Sequence, residues 1–375
     1  MKSKSHIKHV AKKLHDAFPP PRFLQLPAVG LDISDHSIRF VELIPKRDGF
    51  RLVRFAHKRL PDAIFTNGEI RDLPGLKKAL SDFQKENDIG FIHASLPEEK
   101  AYLYKTDVST TEPAEIRSAI EFGLEENVPL SPAEAVFDFH ILNRNDHESL
   151  DHTHASVTVL PKKVINQYID LFSESNLNPL SFEIEAQSIA RAVVADDNKD
   201  TVMVVDFGAQ RTGISIVTCG VVTFTSTVDI GGQTLTQVIK KYFNVSHEEA
   251  EKIKIERGIV RDKTNTELFD LLLSTLATLK DEINKHHSYW NDRVKLDKEN
   301  DGGEAINRII LCGRDSTLHG LAEYMSANLK SSVGVANVWV NTFDVAEYIP
   351  PISAKESLGF ATAVGLALKG YRYHA

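Results

Sequence analysis

The chain has 375 residues, 42% apolar and 26% charged, with 52 Asp and Glu against 44 Lys and Arg, a formal net charge of −8. Such a chain can bury large cores, and its length favours two to four lobes over one. The composition excludes a collagen-like, disordered or disulfide-framework protein, and no run approaches the roughly 18 apolar residues a membrane span needs.

Residues 1–27 carry Lys2, Lys4, Lys8, Lys12, Lys13 and Arg22 against Asp16 alone, a balance of +5 that leaves −13 on the rest. An acidic body argues against nucleic-acid binding, which needs a basic surface on the folded domain. Within the basic end, Ile7, Val10, Ala11, Leu14 and Phe18 recur at helical spacing, so residues 1–18 suit a peripheral contact with an anionic membrane. A solvated terminus is the blander expectation, because the stripe is short. No apolar h-region or cleavage site follows, so no signal peptide is expected. Pro19, Pro20 and Pro21 then form a stiff spacer.

The next segment reads as strands. Val29-Gly30-Leu31-Asp32-Ile33-Ser34 ends in a tight turn, Ser37 to Leu43 alternates, and Phe50 to Ala56 follows a Lys46-Arg47-Asp48-Gly49 turn. Thr111-Glu112-Pro113 opens a helix with Ile116, Ala119, Ile120, Gly123 and Leu124 on one face, stopped by Pro129 and Pro132. Strands at Ala135 to Leu142 and Ala155 to Leu160 flank a polar loop. Val164, Ile165, Tyr168, Ile169 and Phe172 form a further helical stripe, so this block has the pattern of a small inserted domain.

The opening pattern then returns. Thr201 to Gly208 is an apolar strand ending in Asp206-Phe207-Gly208; Arg211 to Val217 and Val221 to Val228 follow as strands. Two copies of strand, Asp, small residue, turn and strand predict two similar lobes facing each other. Ser246 to Glu249 is a capping box for a helix closed by Gly258. A helix from about Glu267 to His286, a loop over 295–304, a buried strand Ile309 to Cys312 ending at Gly313, and a small-residue helix from Ser357 to Leu368 complete the chain. Cys219 and Cys312 sit singly in apolar runs, where packing is their default role and a reducing compartment fits.

A small-residue turn can aim backbone N–H groups at phosphate, and paired carboxylates can hold hydrated Mg²⁺. For Asp32 alone the bland reading is a turn-forming Asp; the pairing with Asp206 argues for a shared cleft, since both end apolar strands. The Asp146-His147, Asp151-His152 and His154 cluster is a weak metal candidate. His286-His287 suits a dipole contact near a helix end. No G-x-x-x-x-G-K-[ST] loop and no G-x-S-x-G elbow occurs.

Taken in order, Asp32 to Ile38, Glu185 to Ala190, Asp206 to Thr212, Gly231-Gly232, Gly313 and Gly359 to Leu368 resemble the phosphate-1, connect-1, phosphate-2, adenosine and connect-2 elements of the actin/Hsp70/sugar-kinase superfamily. Within it, Val29 to Ser34, Val41-Glu42-Leu43, Asn67 to Ile70, Glu125 to Leu130, Val228 to Gly232 and Glu249-Ala250-Glu251 resemble the PilM family of type IV pilus assembly proteins, relatives of FtsA. The resemblance covers about residues 28 to 370. It implies an α/β actin-like (duplicated ribonuclease H-like) fold. The basic extension would be 1–27, subdomain 1A 28–98 and 181–200, 1C 99–180, 2A 201–235 and 305–375, and 2B 236–304.

The resemblance also implies site roles. Asp32 and Asp206 would orient Mg²⁺ and water. Ser34, Asp35, His36 and Ser37, with Gly208, Ala209, Gln210, Arg211 and Thr212, would cradle the phosphates of ATP. Glu251 and Lys254 would touch ribose and adenine, their bland alternative being a surface ion pair. Glu185 would position water, with Glu183 as an alternative. Gly231, Gly232, Gly313 and Arg314 would border the nucleotide. Two departures, Ser34 in place of Gly and Arg314 after Gly313, point to ATP binding with weak or absent hydrolysis. The implied function is a cytoplasmic scaffold, peripheral to the inner membrane through its partners. It would bind the tail of a PilN-like inner-membrane protein near the 1A/1C cleft as an extended peptide, with further pilus components or its own copies (ring or dimer) as other contacts. An FtsA-like polymer is the first alternative, weakened by the lack of an amphipathic stretch at Leu366 to Tyr371. A sugar kinase or Hsp70-like ATPase is the second, with no clear catalytic string.

Overall fold

The computed structural model describes residues 28–61, 64–66, 69–110, 112–142, 153–261, 265–296, 305–329 and 331–372. The basic end and most of the histidine-bearing loop lie outside them. The first lobe opens with an antiparallel meander: β1 (Ala28–Ser34), β2 (Ser37–Lys46) and β3 (Gly49–Arg59). A short hairpin, β4 (Phe65–Thr66) and β5 (Glu69–Ile70), leads to α1 (Leu73–Asn87) and β6 (Phe91–Leu96). Asp72 caps α1 by accepting from the Gly75 N–H at 2.9 Å. The helix buries Leu76, Leu80 and Phe83, spaced to share one face. Each such side chain contributes about 1.5–3 kcal/mol when fully buried. The helix thereby returns the chain for β6 to run parallel to β1.

An insertion follows. β7 (Tyr102–Val108), α2 (Pro113–Phe122), α3 (Leu124–Asn127), β8 (Ala135–Ile141) and β9 (Thr153–Pro161) make a three-stranded sheet in the order β7-β9-β8. It carries its own small core around Ile116, Ile120, Leu124, Val157 and Val159. The next helix, α4 (Lys162–Glu174), sends Tyr168, Leu171 and Phe172 back into the first lobe's core. Then β10 (Asn178–Ile184) pairs parallel to β6, and α5 (Glu185–Val193) leaves towards the second lobe.

The second lobe repeats the plan. β11 (Val202–Phe207), β12 (Thr212–Thr218) and β13 (Val221–Val228) form the meander. Three helices follow: α6 (Gly232–Phe243), α7 (His247–Arg257) and α8 (Thr266–Leu296). After them come β14 (Arg308–Cys312), α9 (Leu321–Asn328), β15 (Ser332–Val335), α10 (Ala354–Ser357) and α11 (Ala361–Arg372). The sheet orders are β10-β6-β1-β2-β3 and β13-β12-β11-β14-β15. Each has an antiparallel meander with two parallel strands added on its first strand, so the architecture is duplicated, as the twin sequence pattern predicts.

Alternation explains why β11 is apolar on both faces apart from Asp206. Val202 and Val204 point into the core shared with α5 and α11, whereas Met203, Val205 and Phe207 point into a second core with α6, α8 and β14. The Ser246 cap holds, its hydroxyl accepting from the Glu249 N–H at 3.1 Å. The long helix runs past His286 to Leu296, which corrects the expected helix end at that pair. His287 lies within it, its Nε2 2.7 Å from Ser331 Oγ, and so makes a packing bond instead of a terminal dipole contact.

The lobes meet beneath the cleft where α5 crosses α11. A Cβ at Gly365 would collide with the Ser188 carbonyl oxygen, and one at Gly30 with the Ala363 carbonyl oxygen. Glycine at these points lets helix meet helix, and strand meet helix, at backbone distance. No helix among the described residues is long and apolar enough to cross a membrane.

Candidate functional site

Both meanders end their first strand in the same way. Asp32 lies two residues before the Ser34–Ser37 turn at the end of β1, and Asp206 two residues before Gly208, at the end of β11. The two carboxylates line one cleft of about 470 Å³ between the lobes, within the range of small-molecule sites. Around them the cleft gathers Ser34, Asp35, His36, Ser37, Glu185, Gly208, Ala209, Gln210, Arg211, Glu251, Lys254, Gly313 and Arg314.

Three expected site residues do not line the cleft. Thr212 is buried and donates its hydroxyl to the Ile230 carbonyl oxygen at 2.6 Å. Gly231 and Gly232 back the second turn: a side chain at Gly231 would strike the Ala209 carbonyl oxygen, and one at Gly232 the Asp315 carboxylate. Their backbones brace that turn, with Gly232 N–H donating to the Gly208 oxygen at 3.0 Å and Gln233 N–H to the Ala209 oxygen at 2.8 Å.

Burial dominates the cleft's electrostatics. Asp32 accepts from Ser95 Oγ at 3.0 Å and faces Arg39 Nη1 at 3.8 Å; burial pushes its carboxyl up, against the opposing pull of Arg39 and Ser95. Asp206 is pushed up to about 6 by burial and by the charge of Asp32, against the pull of Arg39. Glu185 opens α5 and is raised well above the usual range, by burial first and then by Asp32, Glu99, Glu98 and Asp206. Glu98, on the turn after β6, is pushed up to about 8 by burial and by Glu99 and Asp206.

The geometry separates the two glutamates left open by the sequence. Glu183 lies outside the cleft lining, held by both guanidinium nitrogens of Arg191 at 2.5 and 2.6 Å and by Ser188 Oγ at 3.0 Å. Burial works to raise its carboxyl, but Arg191 outweighs it and holds the group at about 2. Glu185 is the one that faces the cleft.

Several expected ligand-facing groups hold each other. Arg211 reaches from the second lobe to Asp35 at 2.7 Å and Glu99 at 2.6 Å in the first. His36 Nε2 meets the Gln233 side-chain amide at 3.1 Å, also across the gap. Lys254 Nζ is buried against Asp315 at 2.8 Å, Glu251 at 3.0 Å and the Gly232 oxygen at 3.1 Å. Glu251 accepts the Thr236 hydroxyl at 2.6 Å. Gly313 has φ +87°, and a Cβ there would collide with Asp206 Oδ1, so only glycine lets the strand end pass the carboxylate.

Arg39, Arg59, Glu98, Glu99, Tyr168 and Asp315 also line the cleft, and sequence reasoning passed over them. Arg39 could have been found by extending the hairpin register from the Ser34–Ser37 turn. Of the weak metal cluster, only His154 lies among the described residues, paired with Asp107. Among those residues no group of three or more His, Cys, Asp or Glu side chains is placed to hold a metal ion.

The family described as Type IV pilus assembly protein PilM matches the chain over residues 30–371. Among solved structures the chain is similar to the PilM-PilN type IV pilus biogenesis complex, with 19% identity, a TM-score of 0.74, and 92% of this chain and 99% of that one covered. It is also similar to the ethanolamine utilization protein EutJ from Carboxydothermus hydrogenoformans, at 15% identity, TM-score 0.52 and 92% and 93% coverage. MreB5 of Spiroplasma citri bound to AMPPNP gives 12% identity, TM-score 0.50 and 84% and 92% coverage. These likenesses, with the duplicated sheets, make the fold actin-like.

Proposed function

The chain belongs to the PilM family of type IV pilus assembly proteins, and we propose that it serves there as a nucleotide-holding scaffold for the cytoplasmic tail of a PilN-like inner-membrane protein. One observation carries the nucleotide half: two glycine- and serine-bearing turns, one per lobe, converge with Asp32 and Asp206 on a single cleft. A nucleotide held there would tie the lobes together by mass action, without turnover. The similar MreB5 structure is bound to AMPPNP; by analogy the ligand here is ATP.

For a divalent ion the fit is partial. Asp206 suits hydrated Mg²⁺, which takes one or two carboxylates and keeps several waters. Asp32 suits it poorly, because Ser95 engages one oxygen and the Arg39 guanidinium stands against the other. Hydrolysis that depends on such an ion is therefore not part of the proposed function.

The partner half draws on strand edges. Among the described residues β8 pairs only with β9, and β10 only with β6. His140 on β8 feels the charges of Glu183, Arg191 and Lys369, so the two edges border the junction between the inserted sheet and the first lobe. An extended tail adding a strand there would use main-chain hydrogen bonds for affinity and shallow pockets for specificity. The protein would then be cytoplasmic and peripheral to the inner membrane through that partner. The deciding measurement is capture of tail peptides from membrane proteins encoded beside this chain, with and without ATP. Capture by one of them supports the scaffold; no capture in either condition refutes it.

A further inference from the structure

The duplication supplies an internal comparison. In the second lobe the residue facing Asp206 across the hairpin is Gly213. In the first, the residue facing Asp32, likewise seven positions further along the chain, is Arg39. The two aspartates thus face different cross-strand partners: Asp206 a glycine with no side chain, Asp32 a guanidinium. Arg39 is mostly buried, lines the cleft, and lies within electrostatic range of Asp32, Asp206, Glu185 and Arg314. Its far side rests 6.0 Å from the Phe360 ring centroid. Gly359 lies beside it, a Cβ there falling in ordinary contact at 3.8 Å from Arg39 Nε and from Arg314 Cβ.

A guanidinium does not give up its proton in a protein and offers five N–H donors in a planar fork suited to phosphate. We propose that Arg39 takes the place of the divalent cation in this cleft: a nucleotide held between the lobes has its phosphates met by the Arg39 fork, and its binding does not require Mg²⁺. This deepens the nucleotide-holding reading and rests on it. The chemistry is consistent on both sides. A fixed cation among Asp32, Asp206 and Glu185 supplies the positive charge a polyphosphate needs, and it repels a second, divalent charge from the oxygens it already engages. No bond-breaking step is involved.

The test is calorimetric titration of the full chain with ATP, once in EDTA and once in excess Mg²⁺. The expected result is that the two affinities of the native protein agree within about threefold. Arg39→Gln is expected to weaken ATP binding in EDTA by about tenfold or more, the scale of one lost charge-assisted hydrogen bond, with recovery on adding Mg²⁺. Native binding that weakens tenfold in EDTA overturns the proposal, as does an Arg39→Gln chain that binds as tightly as the native one without Mg²⁺. If the variant does not fold, the two native titrations decide alone. Absence of ATP binding in both buffers overturns the nucleotide reading and this proposal together, whereas binding seen only with Mg²⁺ overturns this proposal alone.

Discussion

Glu98 shows how much of the cleft's behaviour is set by single buried carboxyls. Its Oε1 lies 3.4 Å from the Thr227 hydroxyl, and the charges it faces are Glu99, Asp206 and Glu185, with Arg211 held by Glu99. Its folded value of about 8 lies above the ordinary 4.5. Between those values the folded chain holds a proton that the unfolded chain releases. The associated stability is therefore complete below pH 4.5 and is lost as pH rises through about 8. Asp206, at about 6, adds to the same trend, so stability should decline from pH 5 to pH 8.5. Glu98→Gln should flatten part of that decline and stabilise the protein at pH 8.5 by about 1 kcal/mol or more, the worth of one pKa unit. Urea unfolding at both pH values checks this; a variant with the native pH slope would refute it. At this scale the sequence was partly legible. Asp32 and Asp206 stood out because they end apolar strands. Arg39 was hidden in an ordinary alternating strand, and Glu98 on a turn that only the fold carries to the cleft.

Between elements, the tightest constraint is the crossing of α5 and α11. Gly365 there has the Ser188 carbonyl oxygen where a side chain would start. Gly365→Ala must push the helices apart or bend one of them, and overpacking of this kind costs about 1–3 kcal/mol. Gly334 on β15 is the control, with nothing within 4 Å of an added Cβ, and its Ala variant should stay within about 0.5 kcal/mol of the native protein. Chemical denaturation of both variants checks the contrast; equal effects would mean that the crossing yields more easily than its geometry implies. Strands that carry their own turns were readable in advance, as were helices with their own caps: both meanders, the Ser246 cap and the Pro113 start. The helix α1 and the parallel strands β6 and β10 were not. Each strand is only six or seven residues long, and its partner lies far away in sequence, so no local pattern marks it.

At the scale of the whole molecule, three of the fastenings between the lobes among the described residues differ in their physics. The α5–α11 crossing is apolar and close-packed. The inserted sheet touches the second lobe through Ser156 Oγ on the Val222 oxygen at 2.8 Å, and through Lys105 Nζ, 4.6 Å from the Trp290 ring centroid. The mouth of the cleft is bridged by polar contacts, with Arg211 between Asp35 and Glu99, and Gln233 against His36. Removing Arg211 leaves two carboxylates on one rim with no cation between them, and an uncompensated pair repels. The other two fastenings do not depend on that charge. Arg211→Ala should therefore open the mouth without separating the lobes. Amide hydrogen exchange should rise about tenfold or more over 34–37 and 208–212, equivalent to some 1.4 kcal/mol of lost local stability, with β9, β13 and the α5–α11 crossing unchanged. Exchange that rises equally at all three of these fastenings would mean the rim bridge supports the whole interface; exchange that rises nowhere would mean the α5–α11 crossing sets the gap without the rim bridge.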